Sequence, residues 1–146
     1  MAMDSMSVQD DARVPGIVIL THGKAGEELI RSAEMIIGRI AKVAAVSLEP
    51  GQHPDDYRAK VSKVLAAMPR GSIVMTDLFG GTPSNTVAAL SRDYAVFAVS
   101  GLNLPMLVEA VNLRQELSGE ELARAVETAG RDGVKNIVDF LTQHRS

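Results

Sequence analysis

At 146 residues, of which 46% are hydrophobic and 23% charged, the chain has the size and composition of one globular domain that buries a core without staples. Fifteen Lys and Arg against eighteen Asp and Glu leave a net charge of -3 with the basic residues dispersed, which argues against nucleic acid or an anionic membrane as the main partner. The absence of Cys excludes disulfides, a thiolate nucleophile and a Cys-based zinc site, and fits a cytoplasmic protein.

Residues 1–13, MAMDSMSVQDDAR, lack the basic start and apolar centre of a signal peptide. They are expected to form a flexible polar extension, with 14–146 as a single domain. No apolar run approaches the roughly 20 residues of a membrane helix. Gly16-Ile17-Val18-Ile19-Leu20 is a short continuous apolar run, the pattern of a strand buried on both faces of a parallel sheet. Leu29, Ala33, Ile36, Ile37 and Ile40 then recur at helical spacing over Ala25–Ile40.

Val43–Leu48 is a second strand, followed by the turn residues Glu49–Pro54 and a helix over Asp55–Met68 with acidic residues in its first turn. Ser72–Thr76 is a third strand. It ends in the loop Asp77–Asn85, which leads into a helix from about Pro83 to Ser91. Tyr94–Val99 is a fourth strand, followed by a helix from Pro105 to about Glu116. Ser118-Gly119-Glu120-Glu121 fits a capping box, so a helix should start there with Leu122, Ala125, Val126 and Ala129 on its inner face. After Gly130, the residues Val134, Ile137, Val138 and Leu141 match helical spacing, while nearby glycines and the shortness of the segment leave an edge strand open.

Strands alternating with helices predict an α/β fold: a doubly wound, mainly parallel four-stranded sheet with helices on both faces. Ligands bind such sheets at the carboxyl ends of the strands, which singles out the loops Thr21–Gly26, Asp77–Asn85 and Ser100–Pro105. His22 and Asp77 each stand just past a strand end. If strands one and three are neighbours, the carboxylate can accept the Nδ1–H of the imidazole, fix its tautomer and leave Nε2 as a nucleophile.

The flanking residues suit an anion. Thr21, Gly23 and the small Ala25 and Gly26 let the first helix start close to a ligand, and Gly80-Gly81-Thr82 can present backbone N–H groups and a hydroxyl. A histidine nucleophile with an anion cradle suggests phosphoryl transfer, in which positioning and charge stabilisation supply most of the catalysis. His53 and His144 read as solvated residues, and no ligand pair has zinc-type spacing, so no metal is expected. Neither a P-loop nor a dinucleotide fingerprint is present. A receiver-type reading, with Asp77 as phosphoacceptor, would want carboxylates where this chain has Thr21-His22-Gly23.

Four segments, ILTHGKAGEELIRSAEMIIG, VMTDLFGGTPSNTVAAL, VSGLNLPMLVEAV and AVETAGRDGVKNI, closely resemble the IIA components of the mannose family of the bacterial phosphoenolpyruvate-dependent sugar phosphotransferase system, in order over Gly16–Ile137. The resemblance implies that His22 takes a phosphoryl group on Nε2 from the phosphohistidine of HPr and passes it to a IIB component. It implies that Asp77 pairs with the imidazole and Thr82 holds phosphoryl oxygens, with no cofactor required. It also implies a homodimer in which a fifth, antiparallel edge strand near the C-terminus is exchanged, and association with a membrane permease complex without spanning the membrane. Two other readings use the same residues: a regulatory phosphoprotein of an incomplete phosphotransferase system that binds a non-transport partner, and a binding module for a small anion.

Overall fold

The computed structural model describes residues 13–145, so the predicted extension, Arg13 apart, lies outside the described residues. Four strands, β1 (Ile17–His22), β2 (Val43–Leu48), β3 (Ile73–Thr76) and β4 (Phe97–Val99), form one sheet in the order β2-β1-β3-β4. All three pairings are parallel, with Leu20 level with Val46 on one side and Thr76 on the other. Six helices are seen among the described residues: α1 (Ala25–Ile37), α2 (Pro54–Ala66), α3 (Thr82–Leu90), α4 (Leu104–Leu113), α5 (Gly119–Asp132) and α6 (Ile137–Gln143).

The alternation of side chains along β1 divides the core in two. Ile17 and Ile19 join Ala33 of α1, Leu107 of α4 and Leu122 and Val126 of α5 on one face. Val18 and Leu20 meet Tyr57 and Val61 of α2 and Val87 and Leu90 of α3 on the other. Both faces are covered, which is why β1 and β3 read as unbroken apolar runs. The doubly wound prediction holds, and the central strands β1 and β3 lie side by side.

Differences from the sequence reading are local. α1 stops at Ile37 because Gly38 caps it, and Ile40 is buried from the connection beyond. β4 starts at Phe97 and not at Tyr94, whose N–H still donates to Leu90 O in a turn prolonging α3. Ser118 is the N-cap of α5, as the capping box implied, but its side chain makes no cap bond; the Gly119 N–H goes instead to Gly71 O.

After Gly130 the chain remains helical. α5 runs on to Asp132, and Asn136 Oδ1 accepts the Asp139 N–H to start α6. The segment left open between helix and edge strand is therefore a helix here, and the sheet among the described residues has four strands, not five. No α6 residue is buried, and Val134, Ile137, Val138, Phe140 and Leu141 expose apolar side chains.

Candidate active site

The parallel register carries β1 two residues beyond β3, so His22 and Asp77 project from neighbouring strand ends at the carboxyl pole of the sheet. Asp77 Oδ2 accepts the backbone N–H of His22 at 2.8 Å and lies 2.9 Å from His22 Nδ1. The Asp77 N–H in turn donates to Leu20 O at 3.2 Å, so the two strand ends are cross-tied by main chain as well as side chain. With Nδ1–H held by the carboxylate, a neutral ring presents the Nε2 lone pair.

Half the His22 side chain is exposed (49%), whereas Asp77 is more sheltered (24%). Burial alone would raise the Asp77 carboxyl, but hydrogen bonds from the His22 amide and ring, with the ring's charge, outweigh it and hold the group below its usual value of 3.8. Asp77 Oδ1 is buried and has no hydrogen-bond partner among the described residues.

The imidazole edge faces the start of α3. A Cβ built on Gly81 would fall 2.8 Å from His22 Cε1 and 3.4 Å from Nε2, so only glycine lets the backbone come this close. Gly81 is the N-cap of α3, and it offers no side-chain cap to the first amides of the helix. Thr82 occupies the first helical position, and its hydroxyl has no hydrogen-bond partner among the described residues. Gly80 precedes them with φ +89°, the left-handed turn that bends the loop toward the ring. A helix N-terminus with uncapped amides favours negative charge, and here it lies beside Nε2.

The other flank is built differently from expectation. Gly23 (φ +58°) makes the turn after β1, its N–H donating to Leu48 O. Thr21, counted with the anion cradle, is only 1% exposed. Its hydroxyl donates to Gly23 O and accepts the Gly26 N–H, so it shapes the start of α1 from within. A Cβ on Gly26 would lie 2.8 Å from Ile19 Cγ2, which explains the small residue at that position. Thus His22, Asp77 and Gly81 come together, Gly80 and Thr82 flank Gly81 in the chain, Gly23 follows His22 at the turn, and Thr21 shapes that turn from the interior.

His53 and His144 lie elsewhere and are exposed: His53 Nδ1 accepts the Asp55 N–H as the N-cap of α2, and His144 stacks on Phe140. Two further residues of this region were not singled out from the sequence. Ser84 Oγ donates to Leu78 O at 2.6 Å and is 2.7 Å from Thr76 Oγ1, and Tyr57, fully buried beneath Leu20, donates its hydroxyl to Val46 O at 2.8 Å. The hydroxyl three positions into a helix opened by Thr-Pro was the hint for Ser84. The single aromatic within the α2 periodicity was the hint for Tyr57.

Fold and site together define a class: a doubly wound α/β protein whose His–Asp pair, at adjacent strand ends, addresses a helix N-terminus. Comparison with known proteins narrows it. A family profile described as "PTS system fructose IIA component" matches residues 16–127. The mannose-specific EIIAB component of Escherichia coli (strain K12) is 39% identical over 124 residues, 82% of this chain and 38% of that protein, so the chain spans well under half the length of this relative.

The fructose-specific EIIA component of Bacillus subtilis (strain 168) is 31% identical over 109 residues, 73% of this chain and 75% of that one. The crystal structure of a phosphotransferase system component EIIA from Streptococcus agalactiae has a TM-score of 0.79 at 31% identity, covering 85% of this chain and 98% of that one. A mannose/sorbose specific IIA subunit from Enterococcus faecalis gives 0.77 at 30%, covering 84% and 93%. The chain belongs to the mannose-type EIIA family of the sugar phosphotransferase system. No helix among its described residues is long and apolar enough to cross a membrane.

Proposed function

We propose that the protein is a phosphocarrier in which His22 Nε2 accepts a phosphoryl group from phospho-HPr and passes it to a IIB component. The observation that carries this reading is the double orientation of one ring: Nδ1 sits 2.9 Å from Asp77, and the Nε2 edge lies against Gly81 at the start of α3. Nε2 attacks phosphorus as the donor's P–N bond breaks, and the donor imidazole leaves with that electron pair. Positive charge develops on the His22 ring, and the adjacent carboxylate balances it. The three phosphoryl oxygens meet the amides and dipole of the α3 N-terminus and the Thr82 hydroxyl, while Gly80 and Gly81 keep the approach open and Gly23 shapes the opposite rim. The second transfer reverses these roles.

The same reading includes a homodimer. β4 is the outer strand, and beside it runs a cleft of about 650 Å³ lined by Phe79, Ser84, Met106 and Val134. The exposed apolar residues of 134–141 begin at that cleft, and a second copy supplies the surface that would bury them.

The test is incubation with phosphoenolpyruvate, enzyme I and HPr. An acid-labile phosphate should appear on the wild type and be absent from His22→Ala. A wild type that takes no label, or a His22→Ala variant that labels equally, overturns the proposal.

A further inference from the structure

We propose that Ser84 is a positioning residue for transfer at His22, acting through the loop Asp77–Gly81; this rests on the phosphocarrier reading. Ser84 does not touch the imidazole. Its hydroxyl instead holds the loop whose last residue, Gly81, is pressed against the Cε1–Nε2 edge of the ring.

The ends of the loop are tied by the Asp77 N–H to Leu20 O at 3.2 Å and the Asn85 N–H to Gly81 O at 2.9 Å, but the stretch between them, Leu78–Gly80, has little else to hold it in place. Leu78 and Phe79 are 61% and 85% exposed, so packing does not anchor them. Gly80 has a conformation that tolerates wide backbone movement. The two other ties on the carbonyls of that stretch, the Gly81 N–H to Leu78 O and the Asn85 Nδ2–H to Gly80 O, are both 3.4 Å and therefore weak. The Ser84 hydroxyl donates to Leu78 O at 2.6 Å, by far the shortest of the three.

That bond also fixes the direction of its neighbour. A serine hydroxyl has one proton, and with that proton on Leu78 O the 2.7 Å contact to Thr76 Oγ1 must be Thr76 donating to Ser84. Thr76 is buried at the end of β3, and its carbonyl accepts the Leu102 N–H. A chain of hydroxyls thus runs from the rigid strand end, through the first turn of α3, to the tip of the loop. It sets the distance between the α3 N-terminus and Nε2, the quantity on which a transferring phosphoryl group depends.

The experiment measures phosphoryl uptake from phospho-HPr as a function of donor concentration for wild type, Ser84→Ala, Ser84→Thr and Thr76→Val. A parallel record of the His22 Cε1–H resonance is made on the unphosphorylated proteins. Ser84→Ala should lower the maximal rate about tenfold while leaving the half-saturating donor concentration and the melting temperature nearly unchanged, and should shift the Cε1–H resonance. Ser84→Thr, which keeps the hydroxyl, should restore both. Thr76→Val, which keeps the Ser84–Leu78 bond, should lose less than Ser84→Ala.

Wild-type rate and an unmoved resonance in Ser84→Ala overturn the proposal, as does a folded Ser84→Thr that behaves like the alanine variant. A wild type that takes no label overturns the phosphocarrier reading and this proposal with it; a labelled wild type with an indifferent Ser84 overturns this proposal alone.

Discussion

At the scale of single residues, the site depends on one oxygen atom. Asp77 Oδ2 holds both the backbone and the ring of His22, so Asp77→Asn puts an amide where the ring N–H needs a charged acceptor. Phosphoryl uptake should fall about 10- to 100-fold in a steady-state transfer assay. The same variant tests the linkage to pH. The folded carboxyl lies below its usual value of 3.8, so the unfolded chain binds the proton more readily. Asp77 therefore contributes stability fully above that value, and the contribution is lost as pH falls through the lower folded value. Urea unfolding over an acid series should show a constant gap between wild type and Asp77→Asn above the usual value and a closing gap below it. Gly81→Ala places a methyl 2.8 Å from His22 Cε1 and should displace the ring, with uptake reduced at least about tenfold and the unfolding midpoint little changed.

At the scale of elements, β1 and β3 were legible because strands buried on both faces cannot alternate with polar residues, and α1 and α2 because their apolar spacing is helical. The His22–Asp77 pairing followed from placing those strands side by side. β4 was less legible, since a turn absorbs Tyr94 by bonding back to Leu90; the start of α5 was legible, but the tertiary bond from the Gly119 N–H to Gly71 O was not. Thr21 shows the limit most clearly. Its neighbour His22 is half exposed at the strand end, but strict alternation along a strand sends Thr21 into the opposite face, where it builds the turn. Tyr57 was hidden for a similar reason, since a partner on β2 is invisible to helical periodicity. Burial first, and then the charge of Asp77, push its phenol well above the ordinary tyrosine range, so it remains a donor to Val46 O in alkaline solution. Tyr57→Phe should cost about 1 kcal/mol in urea unfolding while leaving phosphoryl uptake intact.

At the scale of the molecule, one buried cation joins parts distant in sequence. Arg114, 1% exposed after α4, donates to Pro15 O, Ala41 O and Lys42 O, tying the entries of β1 and β2 to the end of α4. No local pattern announces such a residue, because its carbonyl acceptors lie 72 to 99 positions away. Arg114→Met leaves those carbonyls without this donor and should lower unfolding free energy by about 3 kcal/mol. The C-terminal segment calls for the opposite kind of test. Because no α6 residue is buried in its own chain and Val138 is 74% exposed, Val138→Asp should leave the melting profile of the domain intact yet convert the proposed dimer to monomer in light scattering.

The placement of Arg13 and Val134 bears on how the protein can be tethered. Arg13 enters at the foot of β1, and the six residues of that strand separate it from the His22 tip by about 20 Å. Val134 instead lines the same cleft as Phe79 and Ser84. A label placed at Arg13 therefore stands at the pole away from His22 Nε2. A label placed at Val134 stands beside the loop that faces that nitrogen, so immobilisation for surface-based kinetics belongs at Arg13.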